Sequence, residues 1–332
     1  MCPELFRIPF TQLTVKGFGL MLVIGFLAAV YVIRRLSRNI TPDPNMITNA
    51  SLYSLIAGVV GARVFYVIHY FDLFKNNLTR VFAIWEGGLE LLGGVLAAVL
   101  VIAFYLRRHK LPARRYLDIL AVGLMLALAF GRIGCFLNGC CFGKPSDLPW
   151  AVRFPYHSYA YTSQVEPNPA RNRLQPQLKL PDDYFDAGFL KPFDKLSPEQ
   201  KEMVTAGPYR CLPVHPTQLY SSANALVLTV LLYLFWKRSQ NALQPKAAPK
   251  PLTRPGSTFA LMFILYGFTR FFIEFIRDDN PFEYGWWTIY KGGTVSQNIC
   301  IYMVVTGIVL MFAFSRMPID NPLPVRRPQK RT

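Results

Sequence analysis

The chain has 332 residues, with 36 Lys and Arg against 19 Asp and Glu and a formal net charge of +17. Hydrophobic residues make up 52% and charged residues 17%, whereas soluble domains carry about 25% charge. This excludes a disordered polar chain, which needs low hydrophobicity, and six Cys in so long a chain exclude a small disulfide-stapled scaffold.

A bilayer span needs about 20 mostly apolar residues. In chain order, seven stretches meet that need: 17–33, 47–71, 87–106, 116–137, 219–236, 256–276 and 297–314. Core helices of a soluble protein would show a polar face, and most of these stretches are apolar on all sides. The expected fold is therefore an all-α integral membrane protein of about seven transmembrane helices, a single membrane domain over 1–332. The first stretch does not read as a cleaved signal peptide, because its Arg cluster follows the apolar run. Cys2 follows Met1 directly with no lipobox before it, so the chain is not expected to be a lipoprotein itself.

Half of the 36 basic residues fall in four segments. They follow the first span (Arg34, Arg35, Arg38), the third (Arg107, Arg108, Lys110, Arg114, Arg115), the fifth (Lys237, Arg238, Lys246, Lys250, Arg254) and the seventh (Arg316, Arg326, Arg327, Lys330, Arg331). Positive loops stay cytoplasmic. The N-terminus is thus expected outside and the C-terminus inside, with 317–332 a basic cytoplasmic tail. The charge is topological and calls for no nucleic-acid partner. Residues 139–217, Pro-rich and mixed in charge, read as a small extracytoplasmic subdomain between spans four and five, loosely ordered in the middle.

Charged groups inside spans are costly and mark function by default. Arg63 lies in span two, Arg132 near the end of span four, and Arg270 and Glu274 towards the end of span six. Arg270 and Glu274 are four apart and share a helix face with Tyr266 and Arg277. An intrahelical ion pair would explain two of these groups but not Arg63 and Arg132. Several Arg with few acids suit an anion, and the guanidinium fork suits phosphate. A phospholipid headgroup is the anion at that depth. Gly131, Gly134 and Asn138 flank Arg132, and the glycines fit either close helix packing or a binding turn. Of the four His, His69 and His215 lie nearest the outer face, and His215, opening span five, is a candidate proton acceptor. Cys135, Cys140, Cys141 and Cys211 allow packed thiols, a disulfide from Cys211 to Cys140 or Cys141, or a metal site. No metal is expected. No phosphate-cradling Gly-rich turn points to a soluble cofactor.

Taken together, Gly131-Arg-Ile-Gly-Cys-Phe-Leu-Asn-Gly139, Gly61-Ala-Arg63, Trp85-Glu-Gly-Gly88 with Gly93-Gly94, His215-Pro-Thr-Gln-Leu-Tyr220, Tyr266-Gly-Phe-Thr-Arg270 with Glu274 and Arg277, and Ser296-Gln297 resemble the bacterial prolipoprotein diacylglyceryl transferase family. The resemblance implies an enzyme of the bacterial inner membrane. It would move the diacylglyceryl group of phosphatidylglycerol to the lipobox cysteine of a prolipoprotein, forming a thioether and releasing glycerol phosphate. Arg132 would bind the phosphate, with Arg63, Asn138, Gly131 and Gly134 beside it. Arg270, Glu274, Tyr266 and His215 would act in catalysis. The sequence departs from the family where His usually precedes the second glycine pair (here Leu92), at Cys135 for Asn, at Cys140 for an acid and at Phe18 for Tyr. The family's base is therefore missing, and Glu90 is a candidate substitute. The alternative is a lipid-binding or transport protein on the same scaffold. The absence of a visible internal repeat weakens transport.

Overall fold

The computed structural model describes residues 4–7, 14–41, 43–75, 77–83, 87–88, 90–242 and 251–318. Cys2, Trp85, Lys246, Lys250 and nearly all of the basic tail lie outside them. Seven long helices account for the seven apolar stretches: α1 (Gly17–Ser37), α2 (Asn45–His69), α3 (Leu91–Arg108), α4 (Ala113–Asn138), α7 (Thr217–Ala242), α8 (Ser257–Ile273) and α9 (Val295–Arg316). Two shorter helices, α5 (Tyr159–Val165) and α6 (Pro198–Thr205), lie in the segment between α4 and α7. Among the described residues, strands are confined to two small hairpins, β1 (Glu4–Arg7) with β2 (Thr14–Lys16), and β3 (Phe185–Asp186) with β4 (Phe189–Leu190).

Among the described residues, six of the long helices are long and apolar enough to cross a bilayer, and the protein is an integral membrane protein. The seventh, α3, spans 18 residues and ends in Arg107 and Arg108, so its apolar run is shorter than the others. The helix surfaces carry the expected lipid-facing side chains, such as Leu27, Tyr31, Leu100, Phe104 and Val309, all more than half exposed.

α4 is the central helix. It runs antiparallel to α1, with Gly134 against Phe18 and Met21, and Gly123 against Ile33. Its start meets the start of α8, because Asp118 accepts hydrogen bonds from the backbone N–H of Gly256 (2.7 Å) and Phe259 (3.0 Å). A carboxylate on one helix thus satisfies the orphan amides that open another. α2 and α3 form an antiparallel pair at contact distance. A Cβ on Gly61 would sit 2.6 Å from Gly93 O, and one on Gly94 would sit 2.9 Å from Gly58 O. These glycines serve backbone-to-backbone approach. Leu36, Ile40, Ile119, Val122, Leu232 and Trp236 form the core of the bundle.

Residues 139–217, expected as a small subdomain loosely ordered in the middle, are packed through that middle as well. They fold on a core of their own, built from Phe142, Phe154, Tyr161, Leu178, Tyr184, Leu196, Cys211 and Val214. The apolar residues are spaced by prolines and turns rather than by a helical or strand period, so periodicity does not reveal them. Ser197 and Gln200 close a capping box on α6.

Candidate active site

The site is framed where three chain segments meet at the α4 C-terminus. Gly143 N donates to His215 O (3.0 Å), His215 N to Lys144 O (3.0 Å) and Lys144 N to Ile276 O (2.9 Å). The turn after α4 is thereby stitched to the entrance of α7 and the exit of α8. α4 itself stops at Gly139, which caps it in the left-handed conformation (φ 73°) that glycine adopts without strain.

Arg132, about two turns before that cap, is half-buried. Its Nη1 lies 3.7 Å from Cys141 Sγ, and its charge is felt by Tyr266, Arg270 and Arg277. Arg270 comes from α8, is 6% exposed, and is held by Glu274 through Nη2 at 2.6 Å. Its other terminal nitrogen, Nη1, is buried with no hydrogen-bond partner among the described residues. A buried, unsatisfied guanidinium donor is expensive, and an oxyanion is the ligand that satisfies it.

Glu274 is the hub of this arrangement. It is fully buried, accepts from Thr294 Oγ1 (3.0 Å) and Asn280 Nδ2, and lies 3.8 Å from Arg277 Nε. Thr294 caps α9 through a capping box with Gln297, so the start of α9 helps to fix the carboxylate. Burial alone would lower the affinity of Arg277 for its proton. The Asp279 carboxylate, hydrogen-bonded at 2.8 Å, outweighs that and holds the guanidinium firmly charged. Asp278 ties the same segment to the subdomain through Arg173 (2.7 Å) and Arg171 (3.6 Å). Arg171, Arg173, Asn280 and Thr294 are absent from the sequence reading. Arg171 and Arg173 gain their roles from contacts across about 100 positions of chain, which no local pattern encodes, whereas Asn280 and Thr294 reach Glu274 across 6 and 20 positions.

The structure brings Arg132, Arg270, Glu274, Tyr266 and Arg277 together, but not every expected residue joins them. Arg63 is a correction. Its guanidinium donates to the carbonyls of Arg80 (2.6 Å), Val81 (2.8 Å), Gly87 (2.7 Å) and Gly88 (3.0 Å). Four of its five donors are spent on backbone, so it fastens the α2–α3 connection rather than holding a phosphate. Gly131 and Gly134 face α1 and serve packing. Asn138 hydrogen-bonds the Cys140 thiol. The His215 ring faces Tyr220 (Nδ1 to Oη 3.4 Å), whose hydroxyl accepts from Trp150 Nε1 at 2.7 Å. Leu92 is 60% exposed, and Glu90 pairs with His69 at 3.0 Å.

The cysteines resolve into two groups. Cys211 belongs to the core of 139–217, where its thiol donates to Gln164 Oε1 (3.4 Å), and of the alternatives the sequence allows, the disulfide to Cys140 or Cys141 is not formed. Cys135, Cys140 and Cys141 converge, with their Sγ atoms within 4.8 Å of one another. Hydrogen bonds from the Cys135 and Cys140 thiols, followed by the Arg277 and Arg132 charges, hold Cys141 well below the usual thiol range despite burial.

A largely apolar groove of about 570 Å³ lies between α3, α4 and α8, lined by Val99, Leu117, Leu124, Phe259 and Phe263 among others and reaching Arg107 and Lys110 at the α3 C-terminus. Phe259, Phe263, Tyr266 and Arg270 recur at helical spacing along α8, so one stripe leads from the groove to the arginines.

A model of the prolipoprotein diacylglyceryl transferase family matches residues 3–313. The chain is 30% identical over 316 residues to the phosphatidylglycerol–prolipoprotein diacylglyceryl transferase of Methylococcus capsulatus, covering 92% of this chain and 93% of that protein. It is 28% identical over 318 residues to the proteins of the same name from Burkholderia ambifaria, covering 93% and 94%, and Xanthomonas axonopodis pv. citri, covering 94% and 91%. With its arginine cluster carried on the segments that resemble this family, the chain belongs to the prolipoprotein diacylglyceryl transferases.

Proposed function

We propose that the protein transfers the diacylglyceryl group of phosphatidylglycerol to the lipobox cysteine thiol of prolipoproteins, forming a thioether in the first step of lipoprotein maturation. The observation that carries the reading is the buried Arg270 Nη1 near Arg132, without a hydrogen-bond partner among the described residues. Phosphate oxygens take the free donors of both guanidiniums, and Tyr266 orients the headgroup. The acyl chains lie in the groove that shares the α8 stripe, so the lipid enters from the side.

The reaction breaks the bond between the glyceryl carbon and the phosphate oxygen. Negative charge grows on the departing phosphate, and fixed guanidiniums in a dry site stabilise that charge best where it develops. Glu274 keeps Arg270 in place and charged while leaving Nη1 free. The basic loops support an arrangement of seven spans in the bacterial inner membrane, with N-terminus outside and C-terminus in the cytoplasm. The arginines and the subdomain of 139–217 then face outwards, where prolipoproteins arrive. Asn138 acts through Cys140, and His215 is a proton relay at the edge of the site rather than a group on the phosphate.

The test is rescue of a bacterium depleted of its own diacylglyceryl transferase by the wild type and by Arg132→Ala, at matched membrane levels. Rescue by the wild type alone is expected. A well-expressed wild type that fails to rescue, and that binds phosphatidylglycerol without transferring its diacylglyceryl group when purified, would replace this reading with lipid binding.

A further inference from the structure

We infer that Cys135, Cys140 and Cys141 are the three protein ligands of a single thiophilic divalent cation, zinc by chemistry, whose fourth position takes the acceptor cysteine of the substrate; the catalytic half of this inference rests on the transfer reading above. The three Sγ atoms lie within 4.8 Å of one another. A tetrahedral zinc with Zn–S bonds of about 2.3 Å separates its sulfurs by about 3.8 Å, so each sulfur need move only about half an ångström to close on the ion.

The backbone is bent to make this cluster. Cys135 comes from the last turn of α4, Gly139 reverses the chain, and Cys141 takes a left-handed conformation (φ 62°) that costs any residue with a Cβ. Thr217 Oγ1 holds the Cys141 carbonyl at 2.7 Å, and Gln218 Nε2 holds that of Cys140 at 2.7 Å. Two side chains of α7 thus hold a strained turn whose result is to aim one thiol at two others. Gln218 is 1% exposed, and its Oε1 has no hydrogen-bond partner among the described residues, which leaves an acceptor beside the cluster. Packing alone needs neither the strained residue nor the two clamps.

Charge favours a cation bound by thiolates here. Three thiolates around a divalent ion carry one net negative charge, and Arg132 Nη1 is 3.7 Å from Cys141 Sγ to offset it. Thiolate ligands select soft ions, and three protein ligands with an open position are the pattern of catalytic rather than structural zinc.

The reaction asks for such an ion. A thiolate, not a thiol, is the nucleophile, and a thiol that coordinates zinc gives up its proton outright. The acceptor Cys binds as the fourth ligand. Its sulfur then attacks the glyceryl carbon, forming the C–S bond as the C–O bond breaks. The electron pair of that bond leaves with the phosphate oxygen, which receives the thiol's proton by way of water, so glycerol phosphate departs as a monoanion. No electron is gained or lost overall, and zinc does not change oxidation state. Arg132, touching both cluster and phosphate, sets nucleophile and leaving group side by side.

The test uses full-length protein in detergent micelles, with thiols reduced and Co²⁺ as the spectroscopic probe. Expected are one Co²⁺ per chain, tetrahedral visible bands with thiolate charge transfer, and a shift of those bands on adding a lipobox peptide but not its Cys→Ser analogue. Cys141→Ser should lose the thiolate bands and Cys211→Ser should keep them. Should Cys141→Ser not fold, Cys135→His, which preserves a ligand, should bind Co²⁺ with an altered spectrum. A reduced wild type that binds neither Co²⁺ nor Zn²⁺ overturns the inference. Full transfer by metal-free protein overturns its catalytic half while leaving the transfer reading intact. A peptide-induced shift in protein that transfers nothing sinks the transfer reading and leaves the metal site standing.

Discussion

Glu274→Gln tests whether the buried carboxylate exists to hold Arg270. The substitution keeps the shape and both hydrogen-bond partners of Oε1, Thr294 and Asn280, removes the charge, and turns Oε2, the acceptor for Arg270 Nη2, into an amide donor. Arg270, 6% exposed and paired at 2.6 Å, then becomes a buried cation without its counter-charge. Removing one member of a buried pair costs about 3–5 kcal/mol, because the other is left uncompensated. Arg277, a second cation near Arg270, does not offset the loss, although Asp279 already engages it. Unfolding of purified protein in detergent should show Glu274→Gln destabilised on that scale, with Arg270→Met comparable. The double variant, which has no buried unpaired charge at this position, should be less destabilised than the sum of the singles by about 2–3 kcal/mol. Additive effects would refute the account of Glu274 as the counter-charge of Arg270. Transfer should be lost in Arg270→Met and in the double variant whatever their stability.

Four further outcomes are expected. Arg63→Ala should lower thermal stability by releasing the α2–α3 connection yet leave the KM for phosphatidylglycerol in the folded fraction within about twofold; a large KM effect in stable protein would restore Arg63 to the lipid site. Gly61→Leu forces a branched side chain onto Gly93 O, where even a Cβ would be 2.6 Å away, and should cost at least about 1–3 kcal/mol, read as loss of the monodisperse peak in size exclusion. Asp118→Ala strips two amides of α8 of their acceptor and should cost about 1–2 kcal/mol, with Asp118→Asn milder. Burial pushes the Cys211 thiol up to about 11 from 9.0. Below pH 9 the thiol is neutral folded and unfolded alike, and between 9 and 11 only the unfolded chain ionises. Stability should therefore fall through that window, and Cys211→Ala should flatten the slope.

The helices were legible because bilayer spans announce themselves one segment at a time. Runs such as Leu20 to Ile33 need no partner to be recognised. Arg132, Arg270 and Glu274 were legible for the same reason, as charges where lipid should be. Asp118 carries that signal too, but its partners are backbone amides 138 and 141 positions away, and a sequence does not display amides. Arg63 shows the converse error. Its burial was readable, but four backbone carbonyls leave no mark in the side-chain alphabet, so an anchoring arginine looked like a ligand-binding one. The core of 139–217 escaped because its apolar residues follow turns and prolines instead of a period, and Arg171 and Arg173 gain meaning only once that core brings them to Asp278.

The placement of these anchors bears on how the site keeps two substrates in register. Arg132 stands on α4, Arg270 on α8, and the thiol cluster on the turn that leaves α4. The separations among them depend on two ties at opposite ends of the same helix pair. Asp118 fixes the start of α8 to the start of α4, and the stitching of Lys144 to Ile276 fixes their far ends. A slide of α8 along α4 by one residue, a rise of about 1.5 Å, would have to break both ties at once. Arg171 and Arg173, gripping Asp278 from the subdomain, add a third restraint in the direction across the helices. Displacements of about 1 Å are enough to cost a positioned reaction about 100-fold. The subdomain is accordingly a brace for the α8 exit. Arg173→Ala, which touches no proposed substrate atom, should lower kcat more than it raises the KM for lipid, and a pure KM effect would mean that the brace shapes binding instead.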